Sequence, residues 1–155
     1  MITPHTYVLV SSRGSSETSL NAFDTALRNA GIADFNFVTV SSILPRSCRK
    51  GDIDEVKAVT PGSFMYCVMS RVSSNVVGET ISTALACATT KETVGVVTES
   101  SGRCPSAQSE RIAVKMSDEM VSKRGATLDS RETTSVEMNI EKGWGCCISI
   151  CLLLY

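Results

Sequence analysis

The chain has 155 residues, 43% of them hydrophobic and 20% charged, with a formal net charge of -1 at pH 7. That length suits one compact domain over residues 1–155, and the near-neutral charge excludes a general electrostatic pull toward nucleic acid or acidic lipid. Seven cysteines, odd in number and without a CxxC spacing, read as buried thiols of a reducing, cytoplasmic compartment; a single histidine, His5, leaves no His/Cys set for a metal.

Residues 7–10, Tyr-Val-Leu-Val, predict a first strand and are too short for the apolar core of a signal peptide. The Ser/Gly-rich stretch 11–19 reads as a loop. Leu20, Phe23, Leu27 and Ala30 then recur at helical spacing, with Ser19 placed to cap the helix and Gly31 to end it. A second strand, residues 35–40, stops at Ser41-Ser42, and Ile43-Leu44-Pro45 follows. Such a serine pair ordinarily caps a strand or turn. It is also where a hydroxyl held against the preceding carbonyl could convert the amide to an ester, elimination then leaving the downstream serine as a pyruvoyl group. Arg46, Arg49 and Lys50 form the one tight basic cluster, which reads as a solvated face.

Residues 53–71 are valine-rich and alternate poorly, with a turn at Pro61-Gly62. A second helix is expected over 79–88, since Ile81, Leu85 and Ala88 fall on one helical face after Gly78. Residues 94–98 predict a short buried strand whose C-terminal end carries Glu99. A third helix is expected from Pro105 to about Gly125, with Ile112, Met116 and Met120 as its apolar stripe. Residues 133–140 and 145–154 predict two final strands around Lys142-Gly143, a hairpin signal. The last run is half the length of a membrane span and reads as a buried strand. Strands with helices inserted between them predict a mixed α/β (α+β) domain without internal repeat or linker.

The order Leu20-Asn21-Ala22-Phe23-Asp24, Asn29-Ala30-Gly31-Ile32, Asn36-Phe37-Val38 and Val40-Ser41-Ser42-Ile43-Leu44-Pro45 resembles the pyruvoyl-dependent arginine decarboxylase family. Gly78-Glu79-Thr80-Ile81-Ser82 is similar to the family's second helix start, and Glu99 and Gly102-Arg103-Cys104 match further along. Val136-Glu137 and Glu141-Lys142 through Gly145-Cys146 match the closing hairpin. The resemblance spans nearly the whole chain. It implies a four-layer α-β-β-α sandwich with mixed or antiparallel sheets. It also implies self-cleavage between Ser41 and Ser42 into a β chain, 1–41, and an α chain, 42–155, and assembly as trimers that often pair into hexamers, with active sites between subunits.

The same resemblance implies decarboxylation of L-arginine to agmatine, feeding polyamine synthesis. The covalent pyruvoyl ketone made from Ser42 serves as electron sink in place of pyridoxal phosphate, without metal, membrane or nucleic acid. Glu99 becomes the proton donor after carbon dioxide leaves, where its residue type and position alone read as a solvated strand-end carboxylate. Asp24 becomes the partner of a guanidinium, against an unpaired helical aspartate otherwise. Asn36 assists self-cleavage, against a polar strand residue near a turn. Two segments depart from the family's pattern, the longer 72–77 stretch without its usual proline and the basic run Arg46-Ser47-Cys48-Arg49-Lys50. They leave a related amino-acid substrate open, and an unprocessed oligomeric binding protein remains the alternative of a different class. A serine hydrolase would need a base beside its nucleophile, and neither a GxSxG turn nor a second histidine is present.

Overall fold

The computed structural model describes residues 2–155. In chain order β1 (Thr6–Ser16) leads to α1 (Ser19–Asn29), β2 (Asn36–Thr39), β3 (Ile43–Leu44), β4 (Arg49–Lys50) and α2 (Ile53–Lys57). Then come β5 (Phe64–Ser74), β6 (Thr80–Thr90), β7 (Gly95–Gly102), α3 (Ser106–Lys123), β8 (Leu128–Asn139) and β9 (Trp144–Leu154). Two sheets result, ordered β2-β5-β9-β1-β4 and β3-β7-β6-β8. The first is mixed, since β1 pairs β4 and β2 pairs β5 in parallel; the second is antiparallel throughout. With α1 packed on the first sheet, α3 on the second and the sheets against each other, the layers run α-β-β-α, as the resemblance implies.

One core lies between α1 and the first sheet, built from Ala22, Ala26, Leu27, Ile148, Ile150 and Leu152. A second lies between the sheets around Tyr7, Leu44, Val68, Leu85, Val97 and Leu153. Hydroxyls cross this inter-sheet layer in a chain: Ser11 bonds both Thr134, at 2.7 Å, and Ser149, at 2.8 Å, and Ser149 bonds Thr83 at 2.9 Å. Each hydroxyl of that chain thereby finds a partner. All seven cysteines are free and six are buried; burial pushes the thiols of Cys48 and Cys67 up to about 11 and those of Cys87 and Cys147 to about 12.

Several expectations need correction. The helix expected over 79–88, including the start matched at Gly78-Glu79, is instead β6, the strand between β7 and β8. Ile81 and Leu85 are four apart, a separation that keeps two residues on one face of a helix and of a strand alike. The alternation decides it. Ile81, Thr83, Leu85 and Cys87 face the first sheet, while Ser82, Ala84, Ala86 and Ala88 lie under α3. Buried on both faces, β6 shows no exposed polar residues to betray its period.

The buried stripe of α3 is likewise Ser109, Ala113, Ser117 and Val121, with Ile112 exposed at 43%. Small residues on both elements let the helix sit close to the strand. The Ser/Gly stretch after residue 10 is strand as far as Ser16, because Gly14 passes directly under α1, where a Cβ would come within 2.4 Å of the Ala26 backbone nitrogen. Thr18, rather than Ser19, caps α1 by accepting from Asn21 N–H at 3.2 Å. Within the valine-rich middle, Asp52 and Glu55 form a capping box that opens the short α2.

The closing pair is not a hairpin. β8 pairs with β6 in the second sheet and β9 with β1 and β5 in the first, so the turn at Gly143, with φ of 60°, carries the chain between sheets. The basic cluster is largely ion-paired: Arg49 grips Glu55 through two hydrogen bonds of 3.0 and 2.5 Å, and Lys50 meets Glu132.

Candidate active site

Between β2 and β3 the chain leaves one sheet for the other. Upstream, Val40 N–H donates to Cys67 O at 2.9 Å in the first sheet; downstream, Val97 N–H donates to Ser42 O at 2.8 Å in the second. Ser41, exposed, and Ser42, half-buried, are the crossing itself. β3 then pairs with β7 at Ile43 opposite Val96 and Leu44 opposite Gly95. With only two residues in β3, the outer edge of β7 beyond Val97 is left uncovered.

A cavity of about 420 Å³ opens at that edge, lined by Ser42, Thr98 and Glu99 and roofed by Met116, Glu119, Met120 and Lys123 of α3. Its size is that of a small-molecule site, about 300–1,000 Å³. Thr98 fixes the roof by donating to Ala113 O at 2.6 Å, and Ser70 ties β5 to the same stretch of β7 by donating to Ser100 O at 2.7 Å.

Glu99 lies within β7, opposite Leu85, rather than at the strand's end. Its carboxyl is accessible, yet partial desolvation raises its pKa above the usual carboxylate range, so the protonated form is favoured. Directly paired residues of neighbouring strands share a face, so Glu99 is on the same inter-sheet face as Leu85. Across the cavity Glu119 and Lys123 form an ion pair at 2.5 Å, and its hydrogen bond to Lys123 lowers the Glu119 pKa. One wall therefore holds a carboxyl inclined to keep its proton and the other a carboxylate inclined to lose it.

Ser42 and Glu99 are thus brought together. Asp24 and Asn36 are not, within one chain. Asp24 is exposed on α1 and lines a separate open depression with Arg28, Gly31, Ala33 and Asp34. Asn36 stands at the far end of β2 from Ser41, about 16 Å along an extended strand, and its amide donates to Gly62 O at 2.8 Å. The α3 roof was not anticipated as part of the site. Met116 and Met120 belong to the apolar stripe read from the sequence, but no local signal ties that helix to Ser42.

Among the described residues there is no helix long and apolar enough to cross a membrane. A family model described as pyruvoyl-dependent arginine decarboxylase matches residues 6–155. The pyruvoyl-dependent arginine decarboxylase of Methanocaldococcus jannaschii is 34% identical over 98% of this chain and 91% of its own length. That of Methanothermobacter thermautotrophicus is 40% identical over 84% and 83% respectively. The second such protein of Archaeoglobus fulgidus is 36% identical over 79% and 80%. Among solved structures, a pyruvoyl-dependent histidine decarboxylase shares the fold with a TM-score of 0.53 and 16% identity, over 63% of this chain and 53% of its own.

Proposed function

This chain belongs to the pyruvoyl-dependent arginine decarboxylase family, and on that premise we propose that it cuts itself between Ser41 and Ser42 and converts L-arginine to agmatine and carbon dioxide. The observation that carries the reading is the meeting of Ser42 and Glu99 in one cavity, at the point where the chain changes sheets.

The serine that must become the pyruvoyl group follows the scissile carbonyl directly in the chain and lines the cavity, so the residues present fit that cofactor. When formed, the pyruvoyl ketone supplies the electron sink that decarboxylation of an α-amino acid requires. Glu99 holds a proton at its carboxyl for the carbon that carbon dioxide leaves. Met116 and Met120 put apolar thioether side chains on the wall of the same cavity.

Cleavage leaves the molecule intact. The short chain, 1–41, comprises β1, α1 and β2, and β1 remains paired with β9 from Thr6–Leu154 through Ser16–Trp144 while β2 remains paired with β5. The two products stay joined by sheet hydrogen bonds and the core beneath α1.

Asp24 selects a cationic substrate by a charge-assisted hydrogen bond, and Asn36 assists self-cleavage. Both lie on the exposed surface of the first-sheet half, away from the Ser42 cavity of their own chain, so these roles require the Ser42 cavity of a neighbouring subunit. A trimer, or paired trimers, therefore belongs to the proposal. Seven free cysteines suit a cytoplasmic location.

Intact mass of the denatured protein tests the reading. Two chains divided between Ser41 and Ser42, the larger lighter by one ammonia than a serine-started chain, together with carbon dioxide release from L-arginine, are expected. A single full-length mass would overturn it in favour of a non-catalytic oligomer; a cleaved protein inert toward arginine would move the substrate to another amino acid.

A further inference from the structure

The carbonyl that must be attacked in self-cleavage already has a hydrogen-bond donor. Ile43 N–H donates to Ser41 O at 2.9 Å, an i to i+2 bond that closes a γ-turn around Ser42. Among the described residues no non-glycine residue has positive φ, so Ser42 is at the centre of the inverse, unstrained form of that turn. The turn is clamped at both ends, by Val40 N–H on Cys67 O before it and by Val97 N–H on Ser42 O after it. Val97 is fully buried, and β7 is itself held by β6, with Val97 opposite Cys87. Among the described residues no side chain donates to the Ser41 carbonyl; the Asn36 amide is engaged by Gly62.

We propose that the backbone N–H of Ile43 is the oxyanion donor of the self-cleavage step, held in place by the two-residue pairing of β3 with β7. The inference rests on the reading that the chain cleaves at Ser41-Ser42. In that step Ser42 Oγ bonds to the Ser41 carbonyl carbon, the carbon–nitrogen bond breaks, and the hydroxyl proton passes to the Ser42 nitrogen, leaving an ester and a free amine. It is an isomerisation that needs no co-reactant. Negative charge develops on Ser41 O in the tetrahedral adduct, where the Ile43 N–H already points. A donor in place beforehand needs no reorganisation as that charge appears, which is what makes such donors effective. The same N–H also explains a role for β3: a strand of two residues contributes little pairing, but it fixes the plane of the Ser42–Ile43 peptide.

The test replaces that N–H by an ester oxygen while keeping the isoleucine side chain. A synthetic 1–47 segment carrying α-hydroxyisoleucine at 43 is ligated to residues 48–155 at Cys48, and cleavage of the refolded full chain is timed by intact mass. Relative to the all-amide chain made the same way, cleavage is expected to slow about 10²- to 10³-fold, the loss typical of one oxyanion donor. The corresponding ester at Leu44, which weakens β3 without touching the turn, is expected to cleave within a fewfold of the all-amide chain. Should the Ile43 ester fail to fold, I43P, which also lacks the N–H, takes its place with circular dichroism as the check on folding. Cleavage of the Ile43 ester within twofold of the all-amide chain, or equal slowing by the Leu44 ester, would overturn the proposal. Failure of the all-amide chain to cleave at all would instead strike the reading on which it rests.

Discussion

Strands β9 and β6 each lie inside a sheet and each is buried on both faces, yet they are built from opposite materials. β9 fills its two faces with Ile148, Ile150, Leu152 and Leu154 toward α1 and Cys147, Cys151 and Leu153 toward the second sheet. β6 turns Ser82, Ala84, Ala86 and Ala88 to α3. The first-sheet half is a conventional apolar core. The second is a close approach of small residues, and that approach lowers α3 until Met116 and Met120 roof the edge where Ser42 and Glu99 meet. The largest apolar cluster lies in one half and the Ser42–Glu99 cavity at the edge of the other, with the Ser41-Ser42 crossing joining them.

The largest effect should come from the crossing. Ser42→Ala removes the nucleophile and the pyruvoyl precursor together, so a single full-length mass and no measurable carbon dioxide release are expected. The β1–β9 pairing should leave the thermal melt close to that of the cleaved protein. Glu99→Gln should still cleave but lose about 10²- to 10⁴-fold in kcat, the range for a positioned acid. Because burial raises the Glu99 pKa, activity should fall as pH rises through that raised value, and the limb should vanish in the Gln variant. The linkage has the same sign: stability from holding the neutral carboxyl is fully present below the unfolded pKa and is lost as pH rises through the folded one.

Two substitutions probe the helices on their sheets. Gly14→Ala pushes a methyl group into the α1 backbone, with Ala22 O at 2.7 Å as well as Ala26 N, and should cost about 3 kcal/mol by thermal or denaturant unfolding. Ala113→Leu under α3 should cost about 1–3 kcal/mol and, unlike Gly14→Ala, should also lower kcat, because it lifts the cavity's roof. Equal kcat values in the two variants would break the division between halves. Asp24→Ala, on the outer face of α1, should raise KM for arginine about tenfold with cleavage intact, as expected for the loss of one charge-assisted hydrogen bond. An unchanged KM would remove Asp24 from substrate binding.

Much of the chain was legible because its local signals agree. Tyr7-Val8-Leu9-Val10, the spacing of Leu20, Phe23 and Leu27, the terminating Gly31 and the apolar run into β9 each point one way. β6 was misread because two-sided burial erases alternation and alanine favours helices where packing does not decide. The Gly143 turn resembles a hairpin turn, and nothing local says that its flanking strands join different sheets. Ser42 and Glu99 were legible as single residues through the resemblance to a family.

The sequence by itself determined the family, the serine pair and the carboxyl candidate, because residue identity and order are carried by the chain directly. Only the tertiary structure decided that the pair is a crossing between sheets and that a γ-turn aims Ile43 N–H at Ser41 O. It likewise decided that α3 roofs the cavity while Asp24 faces away from it. Those facts depend on which strand edge is left uncovered and how closely a helix can approach a sheet, quantities set by packing between segments far apart in the chain.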